Sequence, residues 1–316
     1  MKNLYAFLFL LISFSSVAQI RGKVTDSSGN PLPSVNVYLE NTYTGTSSNE
    51  LGFYDLNVKT TGKYTVVFQF LGFKTQKSEI NVDKLPFNLN ATLVEENISV
   101  AEVVISNQEN PANAIIKSAI ASKKENSKMT DKFTADFYSR GIFRVKDAPE
   151  KIFGQKVDED GILDSTGTGI VYLSETVSKI TFQKPDKLKE QIIASKISGN
   201  DNGFSYNTAM NTNYDFYENY IDFNINMISP IADNAFNYYK YKMEGTFLDD
   251  NNNTINKIKV IPRRDAEPVF EGYIYIIEDT WAIYAVDLDI KGYRMQVPIL
   301  ETMNLTQNFS YNSNSK

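Results

Sequence analysis

The chain has 316 residues, with 32 basic against 38 acidic side chains, and it contains neither cysteine nor histidine. The missing residue types exclude disulfide frameworks, thiolate nucleophiles, cysteine-rich zinc sites, Ser-His-Asp triads and histidine proton shuttles. The net charge of −6 disfavours nucleic acid as a partner, because binding to phosphates requires a basic surface.

Residues 1–18 have the layout of a secretory signal peptide. Lys2 supplies a positive start, residues 4–14 form an apolar run, and small residues, Ser16 and Ala18, precede a cut after Ala18. The apolar run is too short for a bilayer span, which requires about 20 residues. We therefore predict export of a mature chain that has no helical membrane span.

Residues 19–94 are predicted to form a small β-sandwich. Apolar and polar residues alternate between turn signals that recur roughly every eight to twelve residues. Gly29 and Gly52 suit turns that require positive φ, and Pro31 and Pro33 border one of these turns. The predicted strands include residues 20–25, 35–39, 51–56, 64–70, 77–82 and 88–93. About seven short strands in this length are typical of a seven-stranded sandwich.

Turn glycines, a Pro-Leu pair and a Gly-aromatic pair follow one order in this domain, in residues 22–26, 29–33, 35–39, 44–46, 52–54 and 71–73. In that order they resemble the carboxypeptidase-regulatory-like domain, a transthyretin-like (prealbumin-like) sandwich common at the N-termini of exported Bacteroidetes proteins. One departure is Asn49, where the family usually has an Asp-containing turn. The resemblance implies an accessory module, because a zinc carboxypeptidase needs histidine ligands and this chain has none.

A linker strand and a short amphipathic helix are predicted for residues 95–131. Residues 101–106 are the expected strand, and Asn110 with Pro111 forms a favourable helix start. One face is apolar, at residues 112, 115, 116, 119 and 120. We expect the helix to dock through this face and to leave its lysines solvated: Lys117, Lys123, Lys124 and Lys128. The alternative is a basic helix that contacts membrane headgroups.

Residues 132–316 are predicted to form a second, antiparallel β-rich domain. Early strands are expected at residues 133–138, 142–145, 169–175 and 177–182. Two hairpins follow, with strands 241–247 and 254–261 in the first and 269–277 and 282–290 in the second. Their alternation suits a sheet with one covered face.

The second domain also carries a resemblance, in residues 110–112, 172–176, 182–187, 229–230, 241–247, 258–262 and 270–274. These segments are similar to DUF5686, a family of unknown function found in Bacteroidetes outer-membrane proteins. The family usually continues into a C-terminal outer-membrane barrel, so the resemblance implies membrane association through a barrel that is missing from this sequence. We expect the chain to be a truncated form or a fragment.

Four polar or aromatic groups are candidate sites. Asp158, Glu159 and Asp160, with Asp164 after them, could hold Ca²⁺, but the EF-hand spacing is not met and a solvated turn is preferred. Residues 249–253 and the Arg263-Arg264 pair are also interpreted as turns. An aromatic-dense stretch could bind carbohydrate or peptide, but a core is preferred. It comprises Tyr214, Phe216, Tyr217, Tyr220, Phe223, Phe236, Tyr238, Tyr239 and Tyr241.

We therefore predict a mainly β protein with no catalytic residue, no metal and no cofactor. The expected function is an exported, non-enzymatic docking, scaffold or binding module at the outer membrane, in the periplasm or at the cell surface. Expected partners are outer-membrane or other envelope proteins, a glycan or a peptide. One alternative is a component of a TonB-dependent uptake system, which the sandwich often precedes. A second alternative is a carboxylate-dependent glycan hydrolase, whose two carboxyl groups would lie about 5–9 Å apart.

Overall fold

The computed structural model describes residues 19–42, 44–96, 110–128, 131–145, 148–149, 151–152, 155–156, 163–184, 187–198, 208–211, 214–223, 225–297, 300 and 302–309. The predicted signal peptide, the predicted strand at 101–106 and the acidic residues 158–160 lie outside these ranges. The chain divides into two compact units, Met1–Asn97 and Ile98–Lys316. The described residues are mainly β with one α-helix, which confirms the predicted fold class.

The described part of the first unit forms eight strands in two four-stranded sheets. The strands are β1 (Gln19–Asp26), β2 (Asn36–Leu39), β3 (Gly45–Ser47), β4 (Phe53–Asn57), β5 (Gly62–Gln69), β6 (Gln76–Val82), β7 (Phe87–Asn88) and β8 (Ala91–Leu93). One sheet has the order β4-β1-β7 with β8 also paired to β1, and the other has the order β3-β2-β5-β6. Alternating side chains such as Ile20, Val37 and Leu56 bury a shared core between them.

The structure adds β3, which was not among the predicted strands, and the predicted strand 88–93 is interrupted and forms β7 and β8. The described part of the first unit therefore has eight strands rather than about seven. The interruption occurs because Asn90 turns its side chain to β1, where its Oδ1 accepts the N–H of Lys23 at 2.9 Å. The backbone approaches β1 closely at the same point. A Cβ on Gly22 would lie 1.8 Å from the carbonyl oxygen of Leu89, so this position requires glycine.

A single helix, α1 (Pro111–Lys128), begins the described part of the second unit. Asn110 caps it as predicted: its Oδ1 accepts the N–H of Ala112 at 3.0 Å, and its Nδ2 donates to the carbonyl of Tyr241. The predicted apolar face is buried, including Ile115 and Ile116. Within the described residues, this helix is not long and apolar enough to cross a membrane, and no other helix there is either.

Most strands of the second unit belong to two antiparallel sheets. The three-stranded sheet has the order β13-β12-β9, and the five-stranded sheet runs in sequence from β16 to β20. Two short pairs, β10-β11 and β14-β15, complete the described strands. In chain order, the strands are β9 (Lys132–Val145), β10 (Lys151–Ile152), β11 (Gln155–Lys156), β12 (Gly169–Gln183), β13 (Lys187–Ser198), β14 (Tyr220–Asp222), β15 (Asn226–Ile228), β16 (Tyr239–Leu248), β17 (Thr254–Pro262), β18 (Glu271–Ile277), β19 (Ile283–Lys291) and β20 (Thr302–Asn308).

Helix α1 and the inner face of the five-stranded sheet enclose the core of the second unit. Ile116 lies in the same buried cluster as Tyr241 of β16, Ile258 of β17 and Ile274 of β18. Both predicted hairpins are present with strands close to the predicted positions. Because the inner face is covered, the opposite face of the sheet carries the outward side chains.

Candidate functional site

The acidic loops predicted from the sequence use their own carboxylates in turns. Asp164 Oδ1 accepts the N–H groups of Thr166 at 2.8 Å and Thr168 at 3.0 Å. Asp249 makes the same turn, since its Oδ1 accepts the N–H groups of Asn251 and Asn253. In the part of the chain that the structure describes, no group of three or more acidic residues could hold a metal ion.

The aromatic-dense stretch mainly forms core, as the preferred interpretation expects. Tyr239 is fully buried; its hydroxyl donates to the carbonyl of Ile228 and accepts the N–H of Phe270 at 3.1 Å. The Tyr241 hydroxyl donates to the carbonyl of Pro230 at 2.7 Å. Burial raises the pKa of both tyrosines above the usual value. These rings are fixed in the core and are not available to stack on a ligand.

Lys123 is buried, so the prediction that all the helix lysines are solvated is wrong for this residue. Its Nζ lies 2.6 Å from Asn219 Oδ1, 2.7 Å from Asp233 Oδ1 and 3.4 Å from the carbonyl oxygen of Ile231. The three N–H groups of the ammonium therefore have three acceptors. The hydrogen bond from Lys123, with a further one from Asn219, lowers the pKa of Asp233. This cluster fastens α1 to the 219–233 segment.

A second buried cation, Arg294, lies just after β19 and binds Asp265 and Glu271. Its Nη2 lies 2.6 Å from Asp265 Oδ1, and its Nη1 lies 3.1 Å from Glu271 Oε2. Its Nε donates to the carbonyl of Asp265 at 2.8 Å. Burial opposes the charge, but Asp265 and Glu271 outweigh it and the pKa of Arg294 is raised. Both buried cations are thus satisfied by structural partners, and sequence analysis identified neither.

The outer face of the five-stranded sheet carries a continuous row of polar and aromatic side chains. The register places five residues side by side, one on each strand. We call this set the polar row: Lys242, Lys259, Tyr273, Asp287 and Thr306. Neighbouring strands lie about 4.8 Å apart, so the row extends across roughly 19 Å of surface.

Tyr273 is the half-buried centre of the polar row, with cations on one side and carboxylates on the other. Lys257 Nζ lies 4.4 Å from the centre of the Tyr273 ring. On the other side, Asp287 Oδ1 accepts hydrogen bonds from Asn304 Nδ2 at 2.9 Å and Thr306 Oγ1 at 3.3 Å. The face therefore presents an aromatic ring between hydrogen-bond donors and acceptors.

The outer face is buried from solvent on the Tyr275 side of the polar row, whereas the polar row itself is accessible to solvent. Tyr275, one pleat along from Tyr273, is only 4 % exposed. Its burial, with a further contribution from the Asp287 charge, raises the pKa of its hydroxyl above the usual value. By contrast, Lys242, Lys259 and Thr306 are exposed. A ligand would therefore reach the polar row and the positions on its open side.

The chemistry of the polar row is suited to binding. Asn304 Nδ2 donates to both Asp287 at 2.9 Å and Asp289 at 3.0 Å, which fixes the two carboxylates next to each other. Asp287 and Asp289 are both partly exposed on the outer face of the sheet. Sequence analysis missed this surface, although the hairpin alternation already separated Tyr273 and Asp287 from the buried positions.

Comparisons with known proteins identify families along nearly the whole described chain. The model for "Family of unknown function (DUF5686)" matches residues 115–316, and that for "CarboxypepD_reg-like domain" matches residues 20–105. Both matches confirm the resemblances found in the sequence, and neither family description names a catalytic activity. No curated protein matches the chain.

Solved structures give only distant likenesses. A cohesin-X-dockerin complex from Acetivibrio cellulolyticus is 13% identical, with 33% of this chain and 73% of that chain covered and a TM-score of 0.21. A proposed carbohydrate-binding protein from Bacteroides uniformis is 10% identical, with 58% and 100% covered and a TM-score of 0.20. Scores this low carry no argument about fold or ligand.

Proposed function

The chain belongs to the family of unknown function DUF5686, preceded by a carboxypeptidase-regulatory-like domain, and we propose that it is an exported, non-catalytic binding module of the cell envelope. In this proposal the second unit binds a glycan or a peptide through the outer face of its five-stranded sheet. The first unit serves as a docking or assembly module.

The observation that carries the proposal is the polar row. Carbohydrates and peptides combine flat, weakly polar areas with many hydroxyl or amide groups. The polar row has an aromatic ring for the flat areas and hydrogen-bonding side chains for the polar groups. Tyr273 provides an aromatic surface, while Lys259 and Thr306 provide donors and Asp287 provides acceptors. The five residues are held on neighbouring strands, so a ligand would meet a surface that is already arranged for it.

Two further observations support binding without catalysis. The chain has no histidine or cysteine, which removes the most common nucleophile and base pairs. Its buried cations, Lys123 and Arg294, are both engaged by acceptors of the fold. Export is supported by the layout of residues 1–18, and we place the module in the periplasm or at the cell surface.

A binding panel tests the proposal. The mature chain is screened against immobilised glycans and peptides, together with Tyr273→Ala and a control, Tyr220→Ala. Tyr220 is 52 % exposed and lies on β14, which is not a strand of the five-stranded sheet, so Tyr220→Ala removes a surface tyrosine outside the polar row. We expect the wild type and the control to bind the same ligand and Tyr273→Ala to lose it. Equal binding by all three proteins would refute the assignment to this face.

Export is tested separately by fractionation of the producing cells. We expect the chain in the envelope fraction without residues 1–18, as mass spectrometry of its N-terminus would establish. An intact N-terminus in the cytoplasmic fraction would contradict the export part of the proposal, while leaving the binding result in place.

A further inference from the structure

Four lysines point outward from the first two strands of the five-stranded sheet. We call them the lysine quartet: Lys240 and Lys242 of β16, and Lys257 and Lys259 of β17. Residues of one strand that share a face are about 6.8 Å apart, and directly opposite residues on neighbouring strands are about 5 Å apart. The quartet therefore concentrates positive charge in an area of a few sugar rings, on a chain whose net charge is −6.

Two members of the quartet lie directly opposite each other, which is an unfavourable arrangement. Lys242 pairs with Lys259 in the ladder, and like charges in such a pair repel. Glu244 relieves only one of them: it lies 2.8 Å from Lys242 and raises its pKa. Lys240 and Lys259 make no ion pair with any residue that the structure describes. An anionic partner above the sheet would remove this repulsion.

The neighbouring residues favour a sugar polymer as that partner. Tyr273 lies beside Lys259 in the polar row, and Lys257 Nζ lies 4.4 Å from its ring centre, so a sugar that stacks on this ring also meets the Lys257 cation. Asp287 and Asn304 follow on the next strands, where they can bond hydroxyl groups. A membrane surface also attracts cations through its anionic headgroups, but binding by so few lysines is strengthened by apolar side chains that insert beside them. Among the described residues, none of the large exposed hydrophobic side chains lies in the polar row.

The carboxylates on the same face limit how such a polymer can lie. Asp287 is two strands from Lys259, or roughly 10 Å away across the sheet. A polyanion is therefore attracted to β16 and β17 and repelled from β19. The favoured path follows the lysine quartet, with the sugar rings reaching toward Tyr273.

We infer that the ligand of this site is an acidic polysaccharide, whose carboxylate-bearing sugars lie along the lysine quartet and stack against Tyr273. This inference rests on the proposed binding function and specifies its ligand class. The attraction depends on charge, so the affinity is expected to fall as salt rises.

The test measures binding of oligogalacturonate to the mature chain by calorimetry, with neutral dextran oligomers of equal length and with anionic phospholipid vesicles as comparisons. The key variant is Lys257→Gln/Lys259→Gln. The matched control is Lys124→Gln, because Lys124 is an exposed lysine on α1. We expect oligogalacturonate to bind, the double variant to weaken binding by about five- to tenfold, and the control to leave it unchanged.

Each other outcome has a distinct meaning. Equal binding of dextran, insensitive to the lysines but lost in Tyr273→Ala, would overturn the acidic ligand and keep the proposed function. Lysine-dependent binding of vesicles without binding of oligogalacturonate would overturn the polysaccharide. If oligogalacturonate does not bind and the Tyr273→Ala variant behaves as wild type across the whole panel, the inference and the proposed function both fail.

Discussion

The buried lysine of helix α1 makes a sharp stability prediction. Lys123→Met keeps the aliphatic stem but removes the ammonium that joins Asn219, Asp233 and Ile231. A hydrogen bond to a charged group contributes about 1.5–3 kcal/mol. Part of that is recovered, because the buried ammonium no longer has to be desolvated and Asp233, whose side chain is 62 % exposed, is rehydrated. We expect a net loss of about 2 kcal/mol.

Urea unfolding followed by tryptophan fluorescence measures this loss. The chain has a single tryptophan, Trp281, which packs against the core of the second unit and therefore reports on it. The control is Lys124→Met, which removes an exposed lysine at the next position of the same helix. It should change stability by no more than about 0.5 kcal/mol. Equal unfolding midpoints for the two variants would refute the view that Lys123 fastens α1.

Three further predictions concern Arg294, Gly52 and Asp233. Arg294→Met removes a buried cation and leaves backbone acceptors unpaired, so we expect a loss of about 2–4 kcal/mol, measured by Trp281 fluorescence in urea. Gly52→Ala should cost more than about 2 kcal/mol by circular dichroism, since φ is +79° and the added Cβ would lie 2.4 Å from the Val24 oxygen. Asp233 has a lowered pKa when folded, so its stabilising contribution is complete above its usual pKa and is lost as pH falls through the lower folded value. Asp233→Asn should accordingly lose less stability than wild type over that acid range. Each prediction has its own refuting result. For Arg294→Met it is an unfolding free energy equal to that of wild type, for Gly52→Ala an unchanged melting temperature, and for Asp233→Asn a curve of stability against pH that runs parallel to that of wild type.

The fold was largely predictable where apolar side chains alternate clearly. The predicted pattern of Val35, Val37 and Leu39 corresponds to three buried side chains of the sandwich. The alternation also predicts two strands at 133–138 and 142–145 and two at 169–175 and 177–182. In the structure each pair is one continuous strand, β9 and β12. The reason is visible in β12, where Ser174, Thr176 and Ser178 are buried on one face, so that the buried positions are polar. The strands β13 and β20 were not predicted.

The candidate site was less predictable, because it depends on register between strands. The sequence places Lys259, Tyr273 and Asp287 at separate positions, and only the ladder brings them side by side. The burial of Lys123 was also hidden, since its acceptors Asn219 and Asp233 are distant in sequence. Composition excludes histidine and cysteine chemistry, but it contains no information about which outward-facing residues lie side by side.

The most direct test of the central claim measures the lysines themselves. Lysine acetylation of the mature chain is followed residue by residue by mass spectrometry, with and without oligogalacturonate. We predict slower modification of Lys242 and Lys259 in the presence of the ligand, and an unchanged rate at Lys124, which is exposed on the helix. Unchanged rates at Lys242 and Lys259 under conditions where the ligand is bound would contradict it.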